Sequence, residues 1–194
     1  DKDYINEIKD SLPELPSAKK ERFIKSYKLK STDAEVLTSS KQLADFYEEV
    51  KKLTEIDSQI AANWIIGDLT AALNKDDLDI VDSKISASDL AGLLNKIADQ
   101  TISGKIAKEV FDAMWKGEGS AEEIIERKGL VQITDDSEIE NIVNQVIENN
   151  PSQVKDYLGG KSQLLGYFVG QIMKETKGKA NPQKVNEILK NKLI

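Results

Sequence analysis

Apolar residues recur at helical spacing almost from end to end of this chain of 194 residues, and no period-two run of β-branched residues with an Asn-Gly type turn breaks the pattern. That periodicity restricts the fold to helix packed on helix. Leu43, Phe46, Tyr47, Val50 and Leu53 mark one stripe, and Ile60, Trp64, Leu69 and Leu73 continue it in the next segment. Ile106, Val110, Phe111 and Met114 form another, as do Ile139, Ile142, Val143, Val146 and Ile147, and then Leu164, Leu165, Phe168, Val169, Ile172 and Met173. Each stripe predicts one amphipathic helix with its apolar face in a core. The expected fold class is all-α.

Caps sharpen the helix starts, because a short polar side chain accepts from the orphan amides of a first turn and a proline there forfeits nothing. Ser86 with Asp89 resembles a capping box, Ser120 with Glu123 fits one fully, and Asn150-Pro151 and Asn181-Pro182 read as cap-plus-proline starts. Leu12-Pro13-Glu14-Leu15-Pro16 reads as a rigid linker, since each proline pushes its predecessor into extended geometry. Between Asn74 and Ser86 the chain is acidic and predicts a mobile loop. Helical periodicity lapses from Gly129 to Asp136, so a domain boundary is expected there, with residues 1–134 before it and a compact trio of helices over 135–194 after it.

Composition excludes whole classes of chemistry. Cys and His are both 0, which removes disulfides, thiolate metal sites, a nucleophilic cysteine and every imidazole mechanism. Asp76, Asp77, Asp79 and Asp82 lack the central glycine and terminal glutamate of a calcium loop, so a solvated acidic loop is expected and no metal site. The longest apolar runs are far short of the roughly 20 residues that span a bilayer, and no apolar leader follows Asp1. Starting without Met, the chain reads as a piece of a longer polypeptide.

Formal net charge is −7, so the molecule as a whole repels nucleic acid, and any binding of it needs a local patch. Residues 155–194 supply one: eight lysines stand against Asp156, Glu175 and Glu187, a net +5, which leaves −12 for the rest. A second basic run, Lys19, Lys20, Arg22, Lys25, Lys28 and Lys30, opposes Glu21 alone. On charge alone both runs are also compatible with solvated helix faces. Gly159-Gly160-Lys161-Ser162 imitates the end of a phosphate loop, but Lys155 stands where its first glycine belongs and no strand precedes it. A helix-ending turn and a phosphate contact through Lys161 both fit. Lys174, Lys177 and Lys179 gather around Gly178 between a helix end and the Asn181-Pro182 start, either as cations lining a helix C-terminus or as contacts for RNA phosphates. Trp64 and Trp115 lie on apolar stripes and are expected in the core.

Six motifs in order resemble the B subunit of the bacterial tRNA-dependent amidotransferases, whose C-terminal region is shared with YqeY-like proteins. They are LPELP at Leu12 to Pro16, DAEVLT at Asp33 to Thr38, the Asn63-Trp64 pair, ISGKIAKEVF at Ile102 to Phe111, KGLVQITD at Lys128 to Asp135, and GGK with GYFVGQIMKETKGKANP ending at Pro182. The resemblance implies a C-terminal fragment: a helical connecting domain over 1–134 and a small three-helix tail over 135–194. It also implies tRNA binding, with Lys161, Lys174, Lys177 and Lys179 on phosphates and Asn181 as a cap.

In that family ATP and Mg²⁺ belong to a larger N-terminal portion that phosphorylates the glutamyl or aspartyl group on misacylated tRNA, and an amidase (A) subunit delivers ammonia within a complex that includes a small (C) subunit. Neither catalysis nor a cofactor is therefore expected in this chain, which would be cytoplasmic and bind neither membrane nor DNA. The competing expectation is a protein-interaction scaffold that docks partner subunits.

Overall fold

The computed structural model describes residues 14–193, and these are helical with no strand beyond an isolated bridge between Ile133 and Ala180. The all-α expectation is met. The chain divides into two compact units, the first ending at Leu94 and the second beginning at Asn95; the expected boundary near residues 129–136 falls inside the second.

In the first unit, helix α1 (Pro16–Tyr27) begins on the second proline of LPELP, which sits in the first turn where a missing N–H costs nothing. Leu12 and Pro13, the other half of the expected linker, lie outside the described residues. Phe23 is fully buried, with its ring 5.3 Å from Tyr27 and 5.2 Å from Tyr47. Tyr47 comes from α3 (Lys41–Leu53), which follows α2 (Ser31–Leu37) and buries Ala44, Tyr47 and Val50. Leu53 and Ile60, read as stripe members, are exposed at 47% and 41%.

Helix α4 (Ser58–Trp64) runs through a π-turn (Ile65–Leu69) into α5 (Thr70–Asp76), and the Thr70 hydroxyl donates to the Ile65 carbonyl at 2.7 Å. The extra residue leaves a trace in the spacing, since the stripe Ile60, Trp64, Leu69 and Leu73 steps by five from Trp64 to Leu69, between two steps of four. The acidic segment expected as a mobile loop is built from turns: Asp77 is left-handed at φ 53°, Ile80–Asp82 forms a 3₁₀ turn, and Lys84 pairs with Asp76 at 2.5 Å.

The capping box at Ser86 is real, since Ser86 N–H donates to Asp89 Oδ2 and Asp89 N–H to Ser86 Oγ, each at 3.1 Å. It opens α6 (Ala87–Ala98). In the second unit α7 (Gly104–Trp115) buries Ile106, Val110, Phe111 and Met114, and Trp115 stacks on Phe111 at 6.1 Å. Trp64 is 7% exposed, in the core as expected. Helix α8 (Ala121–Lys128) carries the full Ser120–Glu123 box and stops at left-handed Gly129. The connector beyond it is tied down on two sides: Gln132 N–H donates to Thr101 O at 2.6 Å, and Ile133 N–H to Lys179 O at 2.7 Å.

Among the described residues four helices follow, not three: α9 (Asp136–Asn149), α10 (Pro151–Leu158), α11 (Leu164–Glu175) and α12 (Pro182–Lys192). Three of them build the core, in which Ile139, Val143, Val146, Phe168, Ile172, Val185 and Leu189 are buried, while α10 buries no residue fully. Asn181 caps α12 by accepting from Gln183 N–H and Lys184 N–H. Asn150 does not cap α10. With only one residue between helices, its side chain turns back to donate to the Val146 carbonyl at 2.7 Å and to accept from the Tyr167 hydroxyl at 2.8 Å.

Candidate nucleic-acid interface

The end of α11 is a Schellman turn: Gly178 N–H donates to Met173 O at 2.7 Å and Lys177 N–H to Lys174 O at 3.1 Å. Its left-handed residue, where glycine is the usual occupant, is Lys177 at φ 53°, followed by Gly178 at φ 81°. Holding a lysine there costs backbone energy on the order of 1 kcal/mol. Thr176 stiffens the turn from inside, its buried hydroxyl donating to Ile172 O at 2.9 Å and accepting from Ala180 N–H at 3.3 Å.

Gly178 itself is buried because α7 begins against it. The Ser103 hydroxyl reaches the Gly178 carbonyl at 3.5 Å, and a methyl group added at Gly178 would lie 3.6 Å from Lys105 Cδ and 3.8 Å from its Nζ. Lys105 therefore joins Lys174, Lys177 and Lys179 at one corner. Sequence reading missed it, because 75 residues separate Ser103 from Gly178 and the ISGK and KETKGK stretches show no sign of meeting. Lys105, Lys174 and Lys177 are exposed and Lys179 half-buried, and among the described residues no carboxylate pairs with any of the four, although Glu175 is a chain neighbour.

Lys161 lies elsewhere. It precedes α11, whereas the other three predicted lysines follow or end it, and 12 residues of helix at about 1.5 Å each separate the two places by about 18 Å. Its ammonium meets Asp156 at 2.9 Å. The surrounding amides are also engaged: Gly159 N–H donates to Lys155 O, Gly160 N–H to Tyr157 O, Lys161 N–H to Asp156 O and Ser162 N–H to Gly160 O. The GGKS segment thus has the hydrogen bonding of a helix-ending turn, and those four amides are not open to an anion. Elsewhere in the tail, Lys184 pairs with Asp136 and Lys192 with Glu140, each at 2.5 Å.

Four of the six cations of the second basic run are spent on structure, while Lys28 and Lys30 are exposed and pair with no carboxylate among the described residues. Lys19 meets Asp45 at 2.9 Å, Lys20 meets Glu35 at 2.7 Å, Arg22 bridges Glu14 and Glu48 at 2.6 Å each, and Lys25 meets Glu21 at 3.6 Å. The hydrogen bond from Arg22 holds the Glu14 carboxyl below the ordinary carboxylate range, and Lys20 does the same for Glu35. Partial burial opposes the charge on Lys19, yet Asp45 and Glu48 outweigh it and raise its pKa.

Among the described residues no three carboxylates converge so as to hold a metal ion. The geometry is that of a helical module carrying a basic corner. The chain belongs to the family described as the GatB domain, whose model matches residues 45–193. It is 52% identical over 190 residues to the B subunit of the aspartyl/glutamyl-tRNA(Asn/Gln) amidotransferase of Nitrosococcus oceani, covering 98% of this chain and 40% of that protein. The corresponding protein of Coxiella burnetii is 54% identical over 192 residues, covering 98% and 40%, and that of Thioalkalivibrio sulfidiphilus 52% over 193 residues, covering 100% and 40%. The chain spans about two fifths of the length of these relatives.

Proposed function

We propose that this chain holds tRNA for an amidotransferase that converts misacylated Glu-tRNA(Gln) and Asp-tRNA(Asn) to the correctly charged forms. The observation that carries this reading is the corner of Lys105, Lys174, Lys177 and Lys179, four ammonium groups without a carboxylate partner among the described residues, in a molecule of net charge −7. Binding energy collected on the tRNA body orients the aminoacyl end in a distant active site, so contacts remote from the chemistry raise the rate. Phosphate contacts suit that role because an RNA duplex hides its major-groove edges and offers its backbone.

The chain itself performs no catalysis. ATP and Mg²⁺ act in the remainder of the larger protein, the amidase (A) and small (C) subunits assemble with it, and the work is cytoplasmic. Lys161 serves as a peripheral phosphate contact once its exposed pair with Asp156 opens, since such a pair contributes only about 0–1 kcal/mol.

The test is a titration of the chain with tRNA at two salt concentrations, beside variants carrying Ala at 105, 174, 177 and 179, or at 161 alone. The four-site variant should bind more weakly, with a log-log salt slope flatter by up to about 0.9 for each phosphate no longer neutralised. Equal binding by wild type and variant would overturn the assignment. If the variant kept tRNA binding but lost association with the amidase subunit, the corner would instead be a protein-docking scaffold.

A further inference from the structure

Beside the lysine turn, α9 and α11 leave a groove of about 280 Å³. Its lining is dominated by side-chain amides: Gln145, Asn149 and Asn150 from one helix and its end, Gln171 from the other, with Glu175 one turn beyond Gln171. Asn150 is committed to Val146 and Tyr167, but Gln145, Asn149 and Gln171 have no side-chain partner among the described residues. Each free amide offers a donor and an acceptor side by side, the pattern that pairs bidentately with the edge of a nucleobase. Glu175 adds an acceptor for the ring N–H and exocyclic amine of guanine, or for the amine of adenine or cytosine, and repels phosphate. Tyr167 is one-third exposed, and its hydroxyl donates at 2.8 Å to Asn150, one of the residues that line the groove.

The cations are adjacent. Gln171, Lys174 and Glu175 are related by three and four residues on α11, so amide, ammonium and carboxylate share one helix face. A flat hydrogen-bonding edge and a phosphate within one helical turn of each other are what an RNA loop presents; a paired base keeps its edge inside the duplex. The geometry points to a groove that seats one unpaired nucleobase, guanine in preference, from an RNA loop whose backbone rests on the lysine turn. This inference rests on the tRNA-holding reading and assigns base recognition to a different set of side chains.

The experiment follows the backbone signals of 174–179 and the side-chain NH₂ signals of Gln145, Asn149 and Gln171 in the ¹⁵N-labelled full chain. The probes are RNA hairpins whose loops are all uridine except for one G, A, C or U, with guanosine monophosphate as a separate arm. The G loop should move the NH₂ signals and bind about ten-fold more tightly than the all-U loop. Gln171→Ala and Asn149→Ala should erase that preference without changing the salt slope, and Glu175→Gln should lessen it. If every loop moves the 174–179 signals alike while the NH₂ signals stay still, the groove proposal is wrong and the lysine grip stands. If guanosine monophosphate moves the NH₂ signals but no hairpin binds, the groove recognises the base and the tRNA reading fails. If nothing moves with any probe, both are overturned.

Discussion

Two basic stretches of similar sequence character have opposite fates. Along α1, Lys19, Lys20, Arg22 and Lys25 each find a carboxylate, three of them from α2, α3 or the segment before α1. Around Gly178, Lys105, Lys174, Lys177 and Lys179 find none among the described residues. A phosphate must first displace the carboxylate of a paired cation, at little cost for an exposed pair such as Lys161–Asp156 and at more for Arg22 between two carboxylates. The same residue type therefore fastens helices in one region and is available without that cost in the other. Counting lysines cannot separate the two cases.

Removing the support of the free corner without touching a charge should have the largest effect. Phe168 is fully buried at the centre of the tail core, so Phe168→Ala should lower stability by about 3–5 kcal/mol, read by chemical unfolding, and abolish tRNA binding with it. A loss below about 1 kcal/mol would mean that the tail core does not hold the turn.

Next come the ion pairs of α1. Arg22→Ala breaks two partly exposed pairs and a stacking contact with Phe23 at 5.4 Å, so it should cost on the order of 1 kcal/mol of stability and leave tRNA affinity unchanged. A loss of tRNA binding in a folded Arg22→Ala protein would erase the contrast between the regions.

Lys177→Gly tests it from the other side. Glycine accepts the left-handed conformation without strain, so the variant should be as stable as wild type or more so, by up to about 1 kcal/mol, while its tRNA affinity falls. Unchanged affinity would assign Lys177 to the turn alone.

The smallest expected effect is in acid. Glu14 and Glu35 have native pKa values below their ordinary 4.5 because of Arg22 and Lys20. Their contribution to stability is therefore complete above pH 4.5 and disappears as the pH falls through the lowered native values. Melting temperatures should drop below about pH 4.5, and the Glu14→Gln, Glu35→Gln double variant should show a flatter acid limb. An unaltered limb would place the acid sensitivity in other carboxylates.

Sequence reading reached furthest where structure is local. The stripe at Ile106, Val110, Phe111 and Met114, the Ser86 and Ser120 boxes and the Asn181 cap could all be read because residues three or four apart in sequence meet on one helix turn. The π-turn at Ile65–Leu69 shows in the sequence only as a step of five from Trp64 to Leu69, which a loosely spaced α-helical stripe would also give. Asn150 has the sequence of a cap, yet its side chain found a partner in Tyr167, 17 residues away.

From the sequence alone came an all-helical chain, rich in surface charge, without imidazole or thiol chemistry, and with a basic end. Which lysines remain free was decided by tertiary structure, because the carboxylates that neutralise Lys19 and Arg22 lie as far as 29 residues away. The arrival of Lys105 at Gly178 has the same origin. Local preferences act over about one helical turn, whereas charge pairing depends on which helices the core brings side by side.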